Sequence, residues 1–302
     1  MLTVCVPSET ERGALADLAD EIVVWDGSGE PPDGIERTRV LLAPYMGQVF
    51  SRDAIARMPA LELIQLLSAG VTPWLDRVPP GVVLCNGRGI HGGSTAELAV
   101  AGLLSVLRGL PEFGRDQAVG RWHERWTNDL DGADVVLFGA GDINQRVAAA
   151  IAPFGARCTF VARTARDGVR TLADLPTLLP TAAAVVLALP LTDETRGLVD
   201  AAFLAALPDG AILVNVARGG IVDTEALLAE TSSGRLSAFL DVTDPEPLPA
   251  DHPLWQLPNV QITPHVGGGT QGWHERGMRL VRDQLQRFLA GQPLANAITG
   301  DY

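Results

Sequence analysis

Three segments late in this chain supply an arginine, a carboxylate and an imidazole in sequence order. Residues 215–223 hold Arg218, residues 244–249 hold Glu246, and Thr263-Pro264-His265 ends on the histidine. An arginine presents a planar fork of donors that suits a substrate carboxylate. Histidine is the side chain best suited to exchange protons near neutrality, and a glutamate beside it orients the ring and favours its charged form. Each residue alone is ordinary, and a lone histidine before a glycine run is more often structural. In this order and with these neighbours they read as a keto-acid reducing site.

Such residues need a frame that brings distant segments to one edge. Short β-branched runs alternate with Ala/Leu-rich helical stretches, the pattern of parallel sheets covered by helices. Strands are expected at residues 2–6, 22–25, 40–43, 63–66 and 82–84, then at 135–138, 158–162, 185–189, 211–215, 239–241 and 260–263. The expected fold class is therefore α/β, with two Rossmann-like or flavodoxin-like domains hinged around an active-site cleft. Residues 95–107 read as a long apolar helix capped by Ser94 or Thr95, followed by a polar, Trp-containing loop at 120–131. A last helix at about 271–289 is expected to return to the first domain. That gives residues 1–94 plus 275–302 as the substrate-binding domain and 95–274 as the dinucleotide-binding one.

Composition narrows the chemistry. The 302 residues, 47% of them hydrophobic, suffice for two domains. A net charge of −13 without any basic cluster argues against nucleic acid and against an anionic membrane surface. All 23 basic residues are arginine. Without lysine there is no P-loop, no Schiff-base enzyme and no Ser-Lys hydrolase. Cys5, Cys85 and Cys158 sit in apolar, strand-like runs and read as buried thiols of a reducing cytosol, not disulfides or metal ligands. No basic region precedes the first apolar run, so no signal peptide is expected. The longest apolar stretch, 182–191, is half of the ~20 residues a membrane span requires. A cytoplasmic protein with no metal is expected.

The expected strand at 135–138 runs into Gly139-Ala140-Gly141-Asp142-Ile143-Asn144 and then a helical stretch. This is the context of a dinucleotide fingerprint, with Gly139 making the turn, Gly141 admitting the pyrophosphate and the helix start, including Ile143, supplying amides. Asn144 replaces the third glycine, which is expected to hold helix and strand slightly farther apart. Asp142 puts a carboxylate near the phosphates and weakens binding unless it turns away as an N-cap. About 20 residues on, NAD enzymes place an acid for the ribose hydroxyl. Here Arg163, Thr164 and Arg166 stand instead, a set that suits a 2′-phosphate, so NADPH is favoured over NADH. The bland alternative is a solvated basic turn.

From residue 63 to about 269 the chain resembles the D-isomer-specific 2-hydroxyacid dehydrogenases, which include glyoxylate and hydroxypyruvate reductases. The resemblance is carried by Leu189-Pro190-Leu191-Thr192 with Thr195-Arg196-Gly197, by residues 214–223 and 241–255, and by Thr263-Pro264-His265. It implies that Arg218 binds the substrate carboxylate and keto oxygen, that His265 donates the proton accompanying hydride transfer, and that Glu246 holds His265. It also implies backbone amides of Ala69, Gly70 and Val71 as carboxylate partners. Cofactor contacts are implied for Leu189, Pro190, Thr195, Val216, Ala217, Gly267 and Gly268, with Asp241 on the nicotinamide amide. His91 falls where many relatives carry Asn and is either a pocket residue or an ordinary loop histidine. Trp273 is a pocket wall or a domain contact. A homodimer through the helix at 95–107 and its neighbouring loop is expected by the same resemblance. Formate dehydrogenases share this architecture but place an amide beside the histidine, so Glu246 argues against formate. Phosphite oxidation is disfavoured because relatives doing it are expected to use a lysine. A nicotinamide-nucleotide-sensing module or corepressor on the same fold is the competing class.

Overall fold

The computed structural model describes residues 1–45 and 49–298. Along the chain come β1 (Thr3–Val6), α1 (Glu9–Leu15), β2 (Glu21–Val24), β3 (Val40–Leu42), α2 (Arg52–Ala56), β4 (Leu63–Gln65) and β5 (Val83–Cys85). Next are α3 (Gly92–Leu107), α4 (Leu110–Ala118), β6 (Asp134–Phe138), α5 (Asp142–Ile151), β7 (Arg157–Val161) and β8 (Val169–Arg170). The remainder is α6 (Leu175–Leu178), β9 (Ala182–Leu187), α7 (Ala201–Ala205), β10 (Ile212–Asn215), α8 (Thr224–Ser232), β11 (Ser237–Leu240), β12 (Val260–Ile262) and α9 (Trp273–Leu289). The chain divides into two compact units, Met1–His91 with Thr270–Tyr302, and Gly92–Gly269.

The first unit holds a five-stranded parallel sheet in the order β2-β1-β3-β4-β5. Its strands are largely apolar because both faces are covered: Cys5, Leu41 and Ile64 pack on one side, Val4, Val6, Val40, Leu42 and Leu63 on the other. α9 supplies Met278, Val281 and Leu285 to the second of these faces. A polar thread crosses this packing. Gln284 of α9 donates to Gln65 Oε1 at 2.9 Å, and Gln65 in turn donates to the carbonyls of Leu66 and Asn86.

The second unit holds a seven-stranded parallel sheet in the order β12-β11-β10-β9-β6-β7-β8. The chain winds outward in both directions from β6, so the switch in direction falls between β6 and β9, where such sheets bind ligands at their carboxyl ends. Val136, Phe138, Val185 and Leu213 face one core layer. Val135, Leu137, Val186 and Val214 face the other, with Ala96, Ala99 and Leu103 of α3. Gly102 lets α3 lie against the ring of Phe239, which any Cβ there would strike.

Three sequence expectations shift. α3 begins at Gly92, so Ser94 and Thr95 lie inside it instead of capping it. The Asp142 carboxylate lies against Gly92, where a Cβ would collide with it, and an anion beside a helix start favours that start. β9 begins at Ala182, because small alanines continue the buried run. β8 was not anticipated, being two residues of an exposed, basic turn pairing with β7.

Candidate active site

Six strands of the second unit end in the segments singled out above. At the end of β10, Asn215 is buried and uses both halves of its amide: Oδ1 accepts from Ala217 N at 3.0 Å and Nδ2 donates to Arg218 O at 3.1 Å. This local turn sets the direction of the Arg218 backbone while its side chain stays exposed. Gly219 packs so tightly that an added Cβ would collide with Thr243 O, so the Arg218 turn abuts the segment leading to Glu246. Val216 and Ala217 are buried beneath it.

His265 Nδ1 and Glu246 Oε1 lie 2.5 Å apart, with both side chains 40% exposed. Both peptide bonds preceding Pro245 and Pro247, on either side of Glu246, are cis. His265 has φ of 54°, a left-handed conformation that costs a non-glycine residue about 1–2 kcal/mol. Asp241, at the end of β11 and 2% exposed, holds it there. Its carboxylate accepts from Thr263 Oγ1 at 2.6 Å, Val266 N at 2.8 Å and Gly267 N at 2.9 Å, while its carbonyl accepts from His265 N at 2.8 Å. The role implied for Asp241 was a nicotinamide contact. The structure shows its carboxylate anchoring the turn that presents the histidine.

At the end of β6, Gly139 has φ of 94° and sits where any Cβ would collide with Ala188 O, next to Leu189. Gly141 starts α5 with open space around its Cα and no side-chain cap. The first-turn amides of α5 thus stay available, and with the helix dipole they fit the pyrophosphate of a dinucleotide. Asp142 is not the N-cap. It is the first helical residue and pairs with Arg146 at 2.9 Å, its other oxygen buried without a hydrogen-bond partner. Asn144 does not leave a gap between helix and strand: its amide Nδ2 reaches Phe138 O at 2.7 Å and Gly139 O at 2.8 Å. Leu189 and Pro190 enter a turn closed by Thr195, whose hydroxyl donates to Pro190 O at 2.8 Å.

The basic turn after β7 is exposed. Arg166 Nη2 donates to Ala140 O at 3.1 Å, bringing one arginine to the glycine loop, while Arg163 pairs with Glu194 at 3.9 Å and Thr164 is exposed beside it.

In the first unit, residues 68–71 form a braced loop. Ser68 Oγ donates to Gly70 O at 2.9 Å, Asn86 Nδ2 donates to Ala69 O at 3.0 Å, and Val71 is buried. His91 Nε2 lies 2.9 Å from Leu67 O, and its ring stacks on Tyr45 at 4.8 Å. Tyr45 also packs on Trp273 at 4.3 Å. Asn86, Asn215 and Tyr45 were missed in the sequence. Asn at a strand end before a turn is the signal that would have found the first two.

Among the described residues no group of three His, Cys, Asp or Glu is placed to hold a metal, and no helix is long and apolar enough to cross a membrane.

A sheet wound from a glycine turn, with arginine, glutamate and histidine after three adjacent strands, has the architecture of a nicotinamide-nucleotide oxidoreductase. Residues 100–267 match the family described as D-isomer specific 2-hydroxyacid dehydrogenase, NAD binding domain. A human glyoxylate reductase/hydroxypyruvate reductase is 31% identical over 97% of this chain and 95% of its own length. A mitochondrial formate dehydrogenase of Oryza sativa subsp. japonica is 32% identical over 93% of this chain and 79% of its own. Among solved structures, a D-isomer specific 2-hydroxyacid dehydrogenase from Xanthobacter autotrophicus Py2, in complex with NADPH and MES, superimposes with a TM-score of 0.86. It is 31% identical, covering 99% of this chain and 98% of that one. The chain belongs to the D-isomer-specific 2-hydroxyacid dehydrogenase family. It is an NAD(P)-dependent oxidoreductase of that family, as the sequence resemblance implied.

Proposed function

We propose that this protein reduces a small 2-keto acid to the D-2-hydroxy acid, with NADPH preferred over NADH. The observation that carries the reading is the His265–Glu246 pair, which joins the segments following β12 and β11, β11 being the neighbour of the strand that leads to Arg218. A carboxylate partner, in place of an amide, is what a proton-donating histidine needs, and it sets this chain apart from formate oxidation. Bound NADPH supplies the hydride that goes to the keto carbon. With Nδ1 taken by Glu246, the Nε2 proton of His265 is the one delivered to the keto oxygen, so the product is the neutral alcohol. Arg218 binds the substrate carboxylate and polarises the keto oxygen, aided by the backbone amides of Ala69, Gly70 and Val71, with His91 as a pocket residue. Gly139, Gly141, Asp142 and Ile143 form the phosphate turn. Leu189, Pro190, Thr195, Val216, Ala217, Gly267 and Gly268 flank the nucleotide, with Asp241 positioning the last two.

The cofactor preference rests on Arg163, Thr164 and Arg166, where no acid stands to receive a ribose 2′-hydroxyl. The NADPH carried by the Xanthobacter relative supports it. We also propose a homodimer: Trp122 and Trp126, beyond α4, are 92% and 103% exposed, more apolar surface than a lone chain commonly leaves in water. The occupant of that surface is a second copy. Three unpaired cysteines support a reducing, cytoplasmic compartment.

The test is the initial rate of NADPH and NADH oxidation with glyoxylate, hydroxypyruvate, pyruvate and phenylpyruvate, beside formate with the oxidised cofactors. Turnover of a keto acid favouring NADPH is the expected result. Formate oxidation would overturn it, and tight NADPH binding without turnover would favour a nucleotide-sensing protein.

A further inference from the structure

Asn144 stands where the dinucleotide fingerprint has its third glycine, the residue that lets helix and strand pack closely. It is fully buried, at the third position of α5, and its Nδ2 donates to the carbonyls of Phe138 at 2.7 Å and Gly139 at 2.8 Å. The next carbonyl, Ala140 O, accepts from Arg166 Nη2 at 3.1 Å and Gln145 Nε2 at 3.3 Å. Three successive carbonyls of the turn are therefore held by side chains.

A peptide unit is planar, with its N–H opposite its C=O. Fixing the carbonyls of Phe138, Gly139 and Ala140 fixes the N–H directions of Gly139, Ala140 and Gly141. The first of these donates to Val161 O at 2.8 Å. The other two are turned away from the atoms that hold their carbonyls. We propose that Asn144 is a positioning residue for cofactor binding: its carboxamide replaces the close contact of a third glycine and orients the amides of the phosphate turn. The inference rests on the nucleotide-binding reading of this turn, and the Asn144 side chain touches only protein.

The experiment measures NADPH binding directly, by fluorescence titration, with steady-state kinetics and melting temperature alongside. For Asn144→Ala, which removes two hydrogen bonds, we expect the NADPH Kd to rise about tenfold. At saturating NADPH, kcat and the keto-acid KM stay within about twofold, since those depend on groups elsewhere. Asn144→Asp faces two carbonyl oxygens with a carboxylate and binds more weakly still, whereas Asn144→Ser keeps one donor and recovers part of the affinity. Leu227→Ala, on the buried face of α8, serves as a control: it lowers melting temperature with an unchanged Kd.

Wild-type Kd in the Ala and Asp variants, or an equal affinity loss in Leu227→Ala, overturns the positioning role. Should the wild type itself bind neither NADPH nor NADH, the nucleotide reading fails and the inference goes with it. A failed Asp variant that does not fold leaves the Ala and Ser pair to decide.

Discussion

In the seven-stranded sheet, the loops after β6, β10 and β12 carry Gly139, Arg218 and His265. In the five-stranded sheet, the loops after β4 and β5 carry Ser68 to Val71 and Asn86 to His91. The first set projects ionisable side chains from turns braced by buried Asn215 and Asp241. The second set turns its polar side chains back on its own carbonyls, Asn86 onto Ala69 and Ser68 onto Gly70. One sheet edge thus offers reactive groups, the other a stiff backbone. Two parallel sheets are differentiated by a few Asn, Asp and Ser residues at strand ends, not by the direction of their strands.

That contrast is broken most directly at His265. Replacing it with Ala should lower kcat by about 10³-fold, in the range for loss of a general acid, with the NADPH Kd within twofold. A variant that lost NADPH binding and kept its turnover would remove His265 from the chemistry. Arg218→Lys comes next. The charge survives but the planar fork does not, so kcat/KM for the keto acid should fall about 10²-fold. If lysine restored full activity, carboxylate recognition would be a matter of charge alone.

Two milder substitutions sharpen the same comparison. Arg163→Asp should reduce the NADPH to NADH preference about tenfold by opposing a 2′-phosphate, and an unchanged ratio would leave the turn a solvated basic surface. Asn86→Ala releases Ala69 O and should raise the keto-acid KM several-fold with kcat nearly constant, because it loosens a backbone site without touching a reacting group. A kcat loss as deep as that of His265→Ala would erase the distinction between the two edges.

Much of this was readable from residue order. Strand runs, the glycine turn and the Arg, Glu and His segments stand out because burial on both faces makes strands continuously apolar, and because turns demand glycine. What was not readable depends on distant partners. Nothing near Asn144 says that its amide finds the carbonyls of Phe138 and Gly139, so the sequence suggested looser packing where the structure has two hydrogen bonds. By sequence, Asp142 reads as an N-cap or a hazard to phosphate. Its actual neighbours are Arg146, one turn on, and Gly92, fifty positions away. The start of α3 is hidden in the sequence for the same reason, since the acid beside it comes from another helix.

A prediction on stability, independent of catalysis, separates the two units by alkaline titration. Cys5 and Cys85 lie in β1 and β5, and burial pushes their thiols from 9.0 up to about 12 and about 11. Burial also raises Tyr45, in the same unit. In the second unit Cys158 is only half-buried, and its thiol is raised for the same cause. Above pH 9 an unfolded thiol has lost its proton and the buried one has kept it, so the unfolded state binds fewer protons and stability falls as pH rises. The limiting slope is about 1.4 kcal/mol per pH unit for each such thiol. It extends from pH 9 toward the folded values and is absent below pH 9, where both states are protonated. Urea midpoints from pH 7.5 to 10.5 should therefore decline less steeply in a Cys5→Ala, Cys85→Ala variant than in wild type, whatever stability the cavities remove at neutral pH. Cys158→Ala should leave most of the slope in place. Equal slopes in all three proteins would mean that the thiols of the first unit ionise in the folded state, and that its sheet edge is less tightly closed than its hydrogen bonds indicate.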